Sequence, residues 1–471
     1  MSQKQIALIN GKLTANGIEL RFLENDYQIS YPAKVWDLVP EEMKYLLLDN
    51  LCFAATMHLP MKIRTLSGIS YNTSRPYFEA YFRQNFIGDI PSCCDMDGLN
   101  IGDEISRFAR LDYKFPLKEI RTPCNWPQPD EISSQAIVTL SLGKDSLLTF
   151  ALANEIGLNP TAVFVDEPAF SQEKQHKERL GKDFLKEFGV RLNILEHSTG
   201  LLRDDEHLGA LANEYGWGLQ STEYAVSMLP YARSCGAKYI LMGNEQTAGT
   251  YYSSSNGDSN NEWTIHPCYD QTHFWTNHIN SMTSALTAND PVQTGSLIEP
   301  LMDMMIQRIL VRRYPQYAKY QMSCFAVGEA GKDYHWCYEC GICAKMYLMC
   351  VGGGVNPADI GLKKSMLTEN NIKFFPIFGG SSQFPYAKSG IAKDEQVFAF
   401  HLAVKFGSIE PLVEKFKNSD LAKEAMTREK ELIDKFITVY PSISVPTPLK
   451  EKIINIYQEE LDIFNKLIEK L

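Results

Sequence analysis

Ala136-Ile-Val-Thr-Leu-Ser-Leu-Gly-Lys-Asp-Ser146 is the stretch on which the reading of the chain turns. Ala136–Leu140 is a short run of apolar and β-branched residues, the pattern of a strand buried on both faces. A glycine-containing turn follows, and from Leu147 to Ile156 the apolar spacing becomes helical. Strand, tight turn and helix in that order set the turn's N–H groups and the helix's positive end in front of an anion. Gly143 is expected to supply a backbone conformation that other residues avoid. Ser141 and Ser146 offer hydroxyl donors, and Lys144 can neutralise charge on transferred phosphates. Asp145, a poor direct partner for phosphate, is expected to act through Mg²⁺ or to cap the helix.

The same texture continues downstream. Thr161–Asp166 reads as a second strand, Gln172–Phe188 as a charged helix and Arg191–Leu195 as a third strand. A helix around Glu223–Cys235 and a strand from Lys238 to Gly243 follow, and Leu301–Tyr314 is helical again. Strands alternating with helices of this length give an α/β fold, a doubly wound parallel sheet. Ligands of such sheets bind at the carboxyl ends of the strands. Asp166 closes the second strand there, as a contact for adenosine or a metal or as a helix cap. Asn244 and Glu245, closing the later strand, are candidates for Mg²⁺ or substrate. His266 and His273 lie in a polar and aromatic stretch that could hold the substrate. His176 and Lys177 read as a solvated helix face.

Upstream, residues 1–130 read as an α+β domain: strands at Gln5–Ile9 and Ile18–Phe22, an apolar helix through Leu46–Phe53, a loop at Gly68–Tyr71. Three prolines within Arg121–Asp130 mark a linker. The α/β domain then spans 131–320, a cysteine-bearing segment 321–360 and a mostly helical region 361–471. In the final helix Ile453, Ile456, Tyr457, Ile463, Phe464, Leu467 and Leu471 fall near helical spacing, the stripe of a helix packed on the body of the protein. The 471 residues are 44% hydrophobic and 22% charged, with 46 Lys+Arg against 57 Asp+Glu and a net charge of −11. That composition excludes disorder, fibres and a basic DNA-coating protein, and disfavours bulk nucleic acid and anionic membranes as partners. No signal peptide is evident and no run approaches the roughly 18 apolar residues of a membrane span, so a cytoplasmic location is expected. A homo-oligomer and a protein acceptor are both compatible with the sequence.

A cytoplasmic chain keeps its thiols reduced, so clustered cysteines read as metal ligands. Five of eleven lie between Cys324 and Cys350, and Cys324, Cys337, Cys340 and Cys343 give C-x12-C-x2-C-x2-C. Such knuckles set thiolates on one side of a turn and close a tetrahedron around Zn²⁺, as a structural site. An iron–sulfur cluster is the alternative. Cys350 falls outside the spacing and is expected to pack in a helix.

The loop Ser141–Ser146 lacks Walker spacing. It resembles the Ser-Gly-Gly-x-Asp-Ser loop of the PP-loop ATP pyrophosphatases, with Leu142 in place of the first glycine. That resemblance implies ATP cleaved between its α and β phosphates, with AMP passed to a carboxylate, carbonyl or amide oxygen. Lys144 and Asp145 would then be catalytic, and Ser141, Leu142, Gly143 and Ser146 nucleotide contacts. With the four cysteines and Gly354-Val-Asn356, the central domain resembles the QueC family of 7-cyano-7-deazaguanine synthases, which lacks the flanking regions.

Over a longer range the chain is similar to the MurL family of ATP-dependent UDP-MurNAc-L-Ala-L-Glu epimerases. The shared order runs Gly68-Ile-Ser-Tyr, Gly143-Lys-Asp-Ser, Asn244-Glu-Gln-Thr-Ala, His266–Tyr269, Ile298-Glu-Pro-Leu, Ser323-Cys, Trp336-Cys-x2-Cys-x2-Cys and Asp394-Glu. The expected function is ATP-dependent activation of a small carboxyl-bearing substrate, in its preferred version epimerisation of a terminal glutamate in a cell-wall precursor. A QueC-like synthase or ligase is the alternative, and a non-catalytic nucleotide-sensing or assembly protein the alternative of another class.

Overall fold

The computed structural model describes residues 5–127, 129, 132–168, 171–211, 213–255, 262–287, 289–380 and 389–471. The amino-terminal segment supplies β1 (Gln5–Thr14), β2 (Gly17–Phe22), β3 (Asn25–Ser30), β4 (Leu66–Tyr71) and β5 (Asp112–Lys114). The central segment supplies β6 (Ala136–Thr139), β7 (Thr161–Asp166), β8 (Leu192–His197) and β9 (Tyr239–Leu241). A small hairpin, β10 (Tyr252–Ser254) with β11 (Trp263–Ile265), precedes β12 (Gln293–Gly295). Ten of these strands make one mostly parallel sheet in the order β12-β9-β6-β7-β8-β3-β2-β1-β4-β5. From β12 to β8 every pairing is parallel. The amino-terminal strands continue the same sheet, because β3 pairs antiparallel with β8 through Ile29–His197 and Ser30–Glu196. The domain boundary expected at 130/131 lies outside the described residues.

The two-residue period of a strand assigns the faces. Ile137 of β6 belongs to one buried cluster, and Ala136 and Val138 to the other. The first cluster takes in the amino-terminal segment and the helices Gln220–Ser227, Leu229–Cys235 and His273–Leu286. The second takes in the helices Lys144–Glu155, Asp303–Arg313 and Gly341–Gly352 and the carboxyl-terminal helices. Both faces of the parallel half are therefore covered, which is why its strands read as continuous apolar runs. In the last helix, Lys450–Ile468, Ile453, Tyr457 and Phe464 are fully buried, as expected of a packing stripe, whereas Ile463 is exposed and Leu471, also exposed, lies past the helix end.

Two local readings change. Gly68–Tyr71 is strand β4, not a loop. The helix expected over Glu223–Cys235 is two helices, because Pro230 has no N–H to donate and fits only the first turn of a new one. Among the described residues, no helix is long and apolar enough to cross a membrane.

Candidate functional site

The turn after β6 is built differently from the expectation. Gly143 is in ordinary extended backbone, φ −72° and ψ 166°. The left-handed residue is Leu142, at φ +60°. A side chain in that conformation costs about 1–2 kcal/mol. The Leu142 side chain is completely buried, worth about 1.5–3 kcal/mol, and its carbonyl accepts a bond from Met322 N–H at 2.7 Å. Burial outweighs the strain. Gly143 N–H donates to Ser141 Oγ at 3.4 Å, Lys144 N–H to Ser323 Oγ at 3.3 Å, and Ser141 and Ser146 share a bond at 3.2 Å. The helix Lys144–Glu155 starts at this point, its N-cap Gly143 having no side chain to offer, and Ser323 takes only the first N–H of the helix.

Behind the turn lies a cluster of charges. The Lys144 ammonium pairs with Asp145 and with Asp303, and Lys345 pairs with Asp303 as well. Oxygens of Asp145, Glu245 and Asp303 lie within 4.8 Å of one another. Burial, with the Asp303 charge second, pushes Glu245 up to about 8. Burial also acts upward on Asp303, but Lys144 and Lys345 together outweigh it and hold the carboxyl at about 2. Lys144 is disfavoured as a cation by burial, yet Asp145 and Asp303 prevail and raise it. Asp303 begins the helix Asp303–Arg313, and Lys345 sits two residues past Cys343 on the helix Gly341–Gly352.

In front of the turn is a cavity of about 500 Å³, bounded by Ser141, Gly143, Asp145 and Ser146, by Val163–Val165 of β7 and Glu167 just past it, and by Met242–Asn244 after β9. Met322, Ser323 and Phe325 close a further side. Asn244 is held by a bond to Thr276 Oγ1 at 3.0 Å. The expected contact Asp166 is not on this wall. It pairs with Lys174 at 2.5 Å, and its neighbour Glu167 lines the cavity instead. His176 and Lys177 are buried, not solvated: His176 Nε2 donates to the Gly331 carbonyl at 2.7 Å, and Lys177 lines the cavity, paired with Glu173 at 2.5 Å. His266 packs against the rings of Tyr251 and Tyr269, and His273 starts a helix; neither lines the cavity.

The four cysteines converge. Their Sγ separations are 3.4 Å for Cys324–Cys337, 3.7 Å for Cys324–Cys340, 3.9 Å for Cys337–Cys343 and 3.5 Å for Cys340–Cys343. A tetrahedron of thiolates about 2.3 Å from one ion has edges of roughly 3.8 Å, so the set could hold a single metal ion such as zinc. Thiolates bound to separate irons of a cluster would stand further apart. The N–H groups of Ala326, Glu339 and Cys343 point at Cys324, Cys337 and Cys340 and favour the thiolate form. Cys350 is buried in the helix Gly341–Gly352, outside the cluster.

No protein-family model matches the chain, and a search of curated proteins finds no match to it. The site is therefore read from its own chemistry.

A helix terminus with free N–H groups and flanking hydroxyls suits a phosphate-like anion, and three convergent carboxylates suit a hard divalent cation. Ser323 enters the sequence reading only as part of the Ser323-Cys mark, with no role at the turn. Asp303 and Lys345 do not stand out in the sequence; their local signals are the helix start after Ile298-Glu-Pro-Leu and adjacency to the cysteines.

Proposed function

We propose that the chain is an ATP-dependent enzyme of the PP-loop type, passing AMP to a carboxylate or related oxygen and releasing pyrophosphate. One observation supports this above others: a single cavity adjoins the helix-opening turn, the end of β7 and Asn244 after β9. The carbonyl of Val163 accepts from Leu140 N–H at 2.8 Å, so by the strand period Val165 turns the same backbone edge toward a place where β6 has ended. A heterocycle with donor and acceptor side by side, such as adenine, suits that edge, while its phosphates suit the turn. Asp145, Glu245 and Asp303 would hold Mg²⁺. Bound there, Mg²⁺ would neutralise charge on the transferred phosphoryl group.

Lys144, poised on the first turn of its helix, would face the same phosphates once a cation takes over its carboxylates. A carboxylate resists attack and α-proton removal because its negative charge must increase; attaching AMP removes that charge. Glutamate epimerisation as in the MurL family is the version we favour, on the strength of the motif order.

Full-length protein with ATP·Mg²⁺ and UDP-MurNAc-L-Ala-L-Glu should release AMP and pyrophosphate and accumulate D-glutamate in the product. AMP release without inversion, using another carboxyl acceptor, would move the assignment to a synthase or ligase. ADP with phosphate, or no cleavage with any acceptor, would sink it. Lys144→Ala and Asp145→Ala should stop AMP release while the protein remains folded.

A further inference from the structure

We propose that Glu167 reads the sugar of the bound nucleotide, accepting hydrogen bonds from the ribose hydroxyls; this rests on the nucleotide reading above. Glu167 follows Val165 by two residues, just past the end of β7, and both line the cavity, so the carboxylate stands within about 7 Å of chain from the edge offered to the base. Its carboxylate is fixed before any ligand arrives. Arg203 Nη1 donates to it at 2.5 Å and Gln220 Nε2 at 2.8 Å. Gly200 packs so tightly against it that an added Cβ would lie 2.5 Å from the carboxyl carbon. Arg203 is buried and its other arm pairs with Glu223, so the cation is shared and Glu167 is not merely its counter-ion.

Of about four acceptor positions on a carboxylate, Arg203 and Gln220 occupy two. Gln220 spends one N–H on Glu167 and keeps its amide oxygen as an acceptor, and the Tyr224 hydroxyl can accept as well. Glu167, Gln220 and Tyr224 all line the cavity. This corner is centred on a fixed carboxylate with acceptor positions still open. It is matched to a pair of hydroxyl donors and mismatched to a phosphate.

The test is titration calorimetry on the full-length protein with Mg²⁺ and ATP, 2′-deoxy-ATP or 3′-deoxy-ATP. ATP should bind about tenfold more tightly than at least one deoxy analogue, the worth of one hydrogen bond to a charged acceptor. Glu167→Gln should weaken ATP to the level of that analogue and leave the analogue's own affinity nearly unchanged. Gln220→Leu, which keeps the Arg203–Glu167 pair, should cut the discrimination part-way and serves if Glu167→Gln does not fold. Equal affinity of the wild-type protein for all three nucleotides would overturn the assignment while leaving the nucleotide site standing. Binding of none of them would remove the nucleotide reading and this assignment together. Loss of discrimination only for primary amines added as competitors would show that the corner takes an ammonium instead.

Discussion

The N–H of Met322 donates to the carbonyl of Leu142 across 2.7 Å, joining the approach to the four-cysteine cluster to the one residue of the anion turn held in a left-handed conformation. The next residue, Ser323, accepts from Lys144 N–H, and Cys324 follows directly. The turn and the cysteine cluster are thus one mechanical unit.

Metal removal should consequently be felt at the turn. Purified protein is expected to carry one metal ion per chain by elemental analysis. Chelation, or Cys343→Ser, should lower the melting temperature and weaken nucleotide binding together, because binding energy at such a site is also folding energy. Cys350→Ser should leave the metal content unchanged. Metal-free protein that binds nucleotide as tightly as the loaded form would show that Met322 and Ser323 do not depend on the cluster.

Leu142→Gly tests which of two opposing effects wins. Glycine relieves about 1–2 kcal/mol of left-handed strain. The lost side chain is wholly buried, and emptying such a position costs about 2–5 kcal/mol even when alanine remains. The variant should be less stable by about 1–3 kcal/mol in urea unfolding, although it restores the first glycine of the PP-loop motif that Ser141–Ser146 resembles. A rise in stability would mean that the strain had been underestimated.

The parts that were legible in the sequence are those encoded by neighbours. β6 and β7 are continuous apolar runs because both their faces are covered, and the cysteine knuckle is written in its spacing. What was not legible depends on contacts between distant segments. Tyr27 and Ile29 alternate with polar residues as in any short strand, and nothing local says that β3 pairs with β8 some 170 residues later. In its helix the apolar stripe Leu180, Phe184 and Phe188 starts only after Lys177, so Lys177 reads as solvated; its ammonium lies 4.8 Å from the Phe164 ring of β7. Asp303 and Lys345 meet through the fold alone. Asp166 and Glu167 show the limit of a motif: the strand end was identified, but the side of the strand each residue faces was not.

Glu245 gives the site a pH signature. An unfolded chain loses this proton near the ordinary 4.5 and the folded chain near 8. Between those values the unfolded state binds fewer protons, so this residue's contribution to stability falls as pH rises from about 4.5 and is fully lost above about 8. Glu245→Gln has no such proton. Its stability relative to wild type should therefore improve from about pH 5 to pH 8, measured by denaturant unfolding. Mg²⁺ competes with the same proton, so its stabilisation of the wild-type protein should grow over that interval and shrink in the variant. A pH-independent difference between the two proteins would place the Glu245 carboxyl outside the cluster.

Gly143→Ala separates fold from function at the turn. The φ of −72° suits any residue, and an added Cβ would meet only Ser141 Oγ at 3.4 Å and Ser323 Oγ at 3.9 Å, ordinary contact distances. Stability should then be unchanged or raised by up to about 1 kcal/mol, since alanine has fewer unfolded conformations to lose. The methyl group would nevertheless stand on the cavity wall, where the proposed function brings a phosphate oxygen against the backbone. Nucleotide affinity should drop at least about tenfold, with the melting temperature held, and the contrast with Leu142→Gly is what makes the result diagnostic. On the proposed function one glycine of the pair serves the ligand, while the other position holds a leucine buried in the core. If Gly143→Ala binds nucleotide normally, the anion does not approach the chain at this residue, and Ser141 and Ser146 alone would have to receive it.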